Sequence, residues 1–426
     1  MKKSKVFLSI LIIVILLLNI FIGVSAQNKK KLTKKEDKDT IINMIEKIDK
    51  TLIYSYHADL MSFGPRYTGS QNCSDAGGYI YQVFRNLGLD VRYHNWEYDG
   101  FKSRNIVASL QGYGENAATY IISAHYDCTP NSLGADDDGS GIAALLSIAE
   151  VMKEYKYYNN IRFVAFSGEE VGTYGSYCYA RDVYKKGENI RGLLNIDMIG
   201  YANSSKGGKI LRFHCPKRSE WIGEMSRNIS LKYQELIDMT VQLRPNYRGA
   251  DHQAFVDYGY DGVWIAHPDG YPWANSPDDT ADHLNWTYQT KATKLLLTIL
   301  VEMAQKPLPV QIYLKKPYEG SFYLKNKSIC SLDFGKMWYS ETRGVTVSLG
   351  STLAEAEVLT NEEIKYVVFC INNNFVYFDD NPPYKWQIQG KNFPLLGKNT
   401  LRVYAFTKQD NIAFDEMDLM VFTVKF

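Results

Sequence analysis

With 426 residues the chain has room for two or three domains of ordinary size. Its 48 basic and 47 acidic residues leave a net charge of +1, and no basic stripe runs beyond the N-terminal region, which argues against a nucleic-acid partner. Six cysteines form no CxxC pair and no tight framework, and the sequence assigns no disulfide among them.

At the N-terminus Lys2, Lys3 and Lys5 precede an apolar run from Val6 to Val24, closed by the small-residue stop Val24-Ser25-Ala26. Residues 1–26 therefore read as a signal peptide cleaved after Ala26, or as an uncleaved anchor, since the run is long enough to span a bilayer. Either way the body of the protein is expected outside the cytoplasm, secreted or attached to a membrane through this segment. Residues 27–40 are a lysine-rich charged spacer. Sequons at Asn203, Asn228, Asn285 and Asn326 are compatible with export.

A helical pattern follows in Ile41, Ile42, Met44, Ile45, Ile48 and Leu52, and the loop Gly64-Pro65-Arg66-Tyr67-Thr68-Gly69-Ser70 breaks it. Next come a helix near Ala76–Leu87 and strands at Val91–Tyr98, Arg104–Leu110 and Thr119–Ala124. The last strand opens the stretch around which the chain is organised, Ile121–Gly141, IISAHYDCTPNSLGADDDGSG. His125 and Asp127 fall at the strand's C-terminal end on one side of the pleat, where open α/β sheets keep their ligands. His125 reads as a metal ligand with its second nitrogen held by Asp127. The three adjacent carboxylates Asp136, Asp137 and Asp138 repel one another unless a cation sits among them. The plainer reading is a solvated acidic loop with Asp138 or Ser140 as helix N-cap. Cys128, directly beside the site, reads as a buried inert thiol.

A helix over Ile142–Tyr155 leads into the apolar strand Ile161–Phe166 and then Ser167-Gly168-Glu169-Glu170. Adjacent glutamates point in different directions, so one can bind a metal while the other faces the attacked water. The segment Gly192–Gly200 repeats the pattern, an apolar strand ending in Asp197. Asp251-His252 opens a helix, with His252 read as structural, and the strand Gly262–Ala266 ends at His267. A loop to Thr280 and a long helix, Thr290–Ala304, follow. This alternation predicts an α/β fold with a mixed, mostly parallel sheet sandwiched by helices over 41–305. Residues 306–309 read as a linker, and 310–426, β-rich with Asn, Gly and Pro turns, as an antiparallel β-sandwich.

The motifs HYD…GADDDGSG, SGEEVGTYGS, LLNIDMIGY and PDDT closely resemble the co-catalytic zinc aminopeptidase family, which includes secreted bacterial aminopeptidases, glutamate carboxypeptidase II and the glutaminyl cyclases. The resemblance runs from about Gly64 to Ala304. It implies that His125 and Asp197 bind one zinc, Asp137 bridges two, Glu170 binds the second, Glu169 is the general base and Asp127 orients His125. It also implies a cis peptide at Asp137–Asp138. One position departs from the family: Asn275 stands where the second zinc takes a histidine, with His267 and His283 nearby as candidate replacements. One or two zinc ions are therefore expected. Residues 310–426 resemble the immunoglobulin-like sandwiches appended to exported hydrolases, through their strand pattern and the turn Asp380-Asn381-Pro382-Pro383-Tyr384.

The function expected from these residues is a zinc-dependent aminopeptidase acting on peptide or protein N-termini. A non-catalytic binding protein on the same scaffold and a single-zinc enzyme of glutaminyl-cyclase type are the alternatives.

Overall fold

The computed structural model describes residues 39–307, 310–332, 346–389 and 398–422. The expected signal segment, residues 27–38 of the spacer and residues 308–309 of the linker lie outside them. Among the described residues no helix is long and apolar enough to cross a membrane.

Residues 39–47 form α1 and Lys50–Met61 form α2, so the first helical pattern is two helices rather than one. Gln71–Asn86 is α3, started by the Ser70 side chain accepting from Cys73 N at 3.2 Å. An eight-stranded sheet is then built from β1 (Asp90–Tyr98), β2 (Phe101–Leu110), β3 (Thr119–His125), β4 (Asn160–Phe166), β5 (Ile190–Ile196), β6 (Ile210–Cys215), β7 (Thr240–Pro245) and β8 (Gly262–Ala266). Its order is β1-β2-β4-β3-β5-β8-β6-β7. The four central strands β4, β3, β5 and β8 are mutually parallel, while β1, β2 and β6 pair antiparallel with a neighbour, so the sheet is mixed.

The remaining helices of this region are α4 (Gly139–Met152), α5 (Tyr174–Lys185), α6 (Glu220–Lys232), α7 (Gln234–Ile237), α8 (His252–Asp257) and α9 (Trp286–Ala304). α4 is apolar almost all round and buried along all but one of its residues, as a helix covered on every side must be. It lies against β3, α2 and α9. On the other face Tyr179, Ala180 and Val183 of α5 and Phe255 of α8 pack with Ile121, Val164, Phe166 and Leu193. Every residue of β3 is buried, which explains its uninterrupted apolar reading. Because the four parallel strands point the same way, His125, Ser167, Asp197 and His267 all leave the sheet at one edge.

Residues from Val310 onward form two further sheets from β9 (Val310–Lys316), β10 (Ser321–Leu324), β11 (Lys327–Ser331), β12 (Thr346–Leu349), β13 (Thr352–Thr360), β14 (Ile364–Ile371), β15 (Asn374–Asp379), β16 (Tyr384–Ile388), β17 (Asn399–Thr407) and β18 (Ile412–Phe422). A seven-stranded sheet runs β11-β10-β12-β18-β17-β14-β15 and a three-stranded one β16-β13-β9. Alternate residues of both, among them Ile312, Ala354, Trp386, Phe369, Val403 and Leu419, make one apolar core. Pairing is antiparallel except at β10–β12 and β12–β18, which are parallel, so the purely antiparallel expectation is corrected there. Neither parallel pair is joined by a tight turn: β11 intervenes between β10 and β12, and β13 to β17 between β12 and β18. This region meets the preceding one at Asp415, which lies 3.5 Å from Arg218 Nη2, and at Glu319, which accepts from the Tyr184 hydroxyl at 2.9 Å.

Candidate metal centre

The acidic loop between β3 and α4 is shaped by residues distant in sequence. Arg66, from the loop before α3, is fully buried and donates from Nε to Tyr126 O (2.7 Å), from Nη1 to Leu133 O (2.6 Å) and from Nη2 to Gly134 O (3.1 Å). His57 of α2 bonds Ala135 O at 2.8 Å. Gly134 has φ +59°, and a Cβ there would stand 2.5 Å from Asp137 O, so this turn requires glycine. Asp279, in the PDDT motif, accepts from Asp136 N (2.8 Å), Asp137 N (3.2 Å) and the Tyr271 hydroxyl (2.7 Å).

Held this way, the three aspartates have three different partners. Asp136 accepts from Gly200 N at 2.7 Å and pairs with His267 Nε2 at 2.9 Å. Asp138 is the N-cap of α4: its Oδ1 accepts from Gly141 N and from Met198 N, both at 3.0 Å, and its Oδ2 from His125 N at 3.2 Å. Asp137 alone of the three turns to the His125 ring, with Oδ1 3.1 Å from Nε2. The expectation that one cation relieves the whole triplet is therefore corrected, because backbone N–H groups and a histidine already satisfy two of its members. The Asp137–Asp138 peptide is cis, as the resemblance implied.

His125 is 1% exposed. Its Nδ1 lies 3.1 Å from the main-chain oxygen of Asp127 and 3.7 Å from that residue's carboxylate, so the main chain is the nearer partner. The Asp127 carboxylate reaches further: it accepts from Thr68 Oγ1 (2.7 Å), Glu170 N (3.2 Å) and Glu169 N (3.3 Å). It thus ties the glutamate pair after β4 to the end of β3. On the opposite side of the ring, Nε2 faces Asp137 and, at 3.8 Å, Asp197 Oδ1, yet it is buried without a hydrogen-bond partner. A buried imidazole nitrogen facing two carboxylates without hydrogen-bond geometry fits a cation site, and the imidazole-carboxylate donor set suits zinc. Atoms of His125, Asp138 and Asp197 lie within 4.8 Å of one another. Asp138 already serves three N–H groups, so Asp137 is the freer carboxylate.

The electrostatics express this crowding. Burial pulls the His125 ring down, but Asp127, Asp137 and Asp197 outweigh it and hold the imidazolium well above its usual range. Burial raises the Glu169 carboxyl well above the ordinary carboxylate range, with Asp197, Asp251 and Glu170 adding to it against His125. Burial and then Asp137 push Glu170 up to about 9.

His252 is structural, its Nε2 2.8 Å from Asn246 Oδ1. No sequence signal singles out its neighbour Asp251. That carboxylate is fully buried, neither oxygen has a hydrogen-bond partner, and burial raises it to about 7. Cys128 is buried, accepts from Arg66 N at 3.0 Å and donates to Ser132 O at 3.1 Å, and none of the six cysteines is paired.

The chain is similar to several known proteins. A "probable zinc metalloprotease" of Pyrenophora tritici-repentis is 24% identical over 334 residues, covering 62% of this chain and 76% of that protein. Aminopeptidase YwaD of Bacillus subtilis is 29% identical over 192 residues, covering 43% of this chain and 41% of that one, so the chain spans less than half of this relative. Among solved structures, LapB of Legionella pneumophila superposes with a TM-score of 0.57 at 23% identity, over 62% of this chain and 75% of its own. A glutaminyl cyclase of Bacteroides thetaiotaomicron bound to N-acetylhistamine gives 0.53 at 20% identity, over 60% and 98%. Those structural likenesses establish the fold of the α/β region. Residues 105–300 match peptidase family M28, and that segment of the chain is an M28 peptidase domain.

Proposed function

We propose that the protein is an exported zinc aminopeptidase in which His125, Asp137 and Asp197 hold zinc, Glu169 is the general base, and Asp127 positions both His125 and Glu169. The observation that carries it is the buried, unpartnered His125 Nε2 between two carboxylates. Relatives named as zinc metalloprotease and aminopeptidase support the class of reaction. When bound, the zinc supplies a Lewis acid that polarises the scissile carbonyl and lowers the pKa of the attacking water. The chain's own residues supply the rest. Glu169, whose carboxyl burial holds above the ordinary carboxylate range, takes the proton from that water and returns it to the leaving amine. Asp127 fixes the Glu169 main chain relative to the His125 ring through its two ends. The acidic edge attracts the free ammonium of a peptide N-terminus. The apolar segment Val6–Val24 supports export, and the β-sandwich after Val310 is proposed as an appended immunoglobulin-like surface module.

The test is hydrolysis of an unblocked leucyl-anilide by chelator-stripped protein as zinc is restored. Activity should appear with zinc, and Glu169→Gln should lower kcat by about 10²–10⁴-fold with zinc content unchanged. Inactivity with every amino-acyl group and metal overturns the reading. Cyclisation of N-terminal glutamine under the same conditions, without anilide hydrolysis, selects the glutaminyl-cyclase-like alternative, which Asn275 at the second ligand position favours.

A further inference from the structure

We propose that this site takes a single zinc, because the half of it at which the sequence resemblance implies a second zinc is closed here by a hydrogen bond between Asn275 and Glu170. The proposal rests on the reading of His125, Asp137 and Asp197 as zinc ligands. Asn275, at the solvent-exposed rim and with φ +56°, directs its side chain at Glu170. With the amide nitrogen toward that carboxylate it lies 2.9 Å from Oε1 and 3.0 Å from Oε2 and donates to them. With the oxygen there instead, it would meet two acceptors and gain nothing, so the hydrogen-bond network fixes the orientation.

The two histidines close enough in sequence to replace the missing ligand have their rings held by other groups. The His267 ring pairs with Asp136 Oδ2 at 2.9 Å, and the His283 ring stacks on Trp273 with centroids 3.6 Å apart and planes at 11°. Among the described residues the donors left on that side are oxygens, from Glu170, Asp137 and the Asn275 amide, a set that suits hard cations better than zinc. The halves of the site are thus unlike. On one side a buried imidazole nitrogen has no partner, whereas on the other both oxygens of the carboxylate have a donor. A cation is required at the first and displaced by an amide at the second.

The experiment is metal content, by elemental analysis and native mass spectrometry, of full-length protein stripped with chelator, equilibrated with excess zinc and desalted. One zinc per chain is expected, and Asn275→His, which restores an imidazole beside Glu170, should raise it to two. Histidine tolerates left-handed backbone better than most residues, but a second variant guards against a folding defect. Glu170→Gln should leave the count at one and zinc affinity within about 2-fold. Two zincs in the unaltered protein, loss of an ion in Glu170→Gln, or one zinc plus one manganese or magnesium when these are also supplied, each overturns the closed half-site. No zinc at all overturns the zinc-peptidase reading itself, so the two failures are distinguishable.

Discussion

Replacing Asp138 separates two jobs that a carboxylate in this position can have. Its oxygens accept three buried backbone N–H groups, from His125, Gly141 and Met198, at 3.2, 3.0 and 3.0 Å. Asp138→Ala leaves those donors without partners at about 1–3 kcal/mol each, so a loss near 4 kcal/mol is expected after some refilling by water. For a domain of this size that corresponds to a fall in Tm of roughly 8–16 °C. Asp138→Asn keeps one oxygen, able to serve Gly141 and Met198, but turns an NH2 toward His125 N, and should cost about 1–3 kcal/mol, or 2–12 °C. Both losses should appear equally in zinc-loaded and chelated protein, measured by scanning calorimetry. If the chelated variants melt within 2 °C of the unaltered protein and only the zinc-loaded ones fall, Asp138 is a metal ligand and the capping argument is wrong.

Other perturbations follow from the same geometry. Glu170 and Asp251 sit at about 9 and about 7, above the values near 4 of an unfolded chain, so the stability they contribute is complete below pH 4 and is lost as pH rises through 7 and 9. Chelated protein should therefore melt lower at pH 9 than at pH 5.5, while zinc, which favours the ionised ligands, should oppose that fall; a chelated Tm that rises with pH would contradict this. A Cβ on Gly175 would stand 1.9 Å from Ser167 O and 2.5 Å from Asn105 Oδ1, both backing the glutamate pair. Gly175→Ala should lose about 1–3 kcal/mol or more and reduce kcat, read by thermal melting and anilide hydrolysis, whereas Gly208→Ala, with open space around it, should change stability by less than about 0.5 kcal/mol.

The central strands were legible because parallel strands covered on both faces read as unbroken apolar runs that end where polar residues begin, as Ile161–Phe166 and Gly262–Ala266 do. The acidic strand ends could be read for the same reason. What the sequence did not disclose depends on partners far along the chain. Arg66 looks like an ordinary loop arginine, and three of its carbonyl acceptors lie 60 to 68 residues away. The division of Asp136, Asp137 and Asp138 among Gly200, His125 and Met198 is set by sheet order, which pairs β3 with β5 across two intervening helices and a strand. β6, β7 and α6 were missed because outer elements have one half-buried face and a weaker pattern, seen in the alternating burial of β6. Asp251 stands beside a histidine at a helix start and has no sequence pattern of its own, so its burial is what marks it out.

How so many carboxylates share one buried edge has a physical answer in this division of partners. Two unit charges 4 Å apart repel by about 4 kcal/mol even at an effective dielectric constant of 20, so a cluster of ionised acids in this space is unstable unless each has a compensating donor. Asp127, Asp136, Asp138 and Asp279 have theirs in backbone N–H, hydroxyl or imidazole groups. Asp137 and Asp197 instead face an imidazole nitrogen that has no hydrogen-bond partner. The unmet requirement for positive charge is therefore local, a few ångströms across, and its remedy is a cation held by those three residues. Binding there should stabilise the whole fold in proportion to RT ln(1 + [Zn]/Kd), about 4 kcal/mol at a thousandfold excess over Kd. His125→Ala should abolish that increment while leaving the melting of chelated protein much less affected, which distinguishes a metal ligand from a residue that only packs.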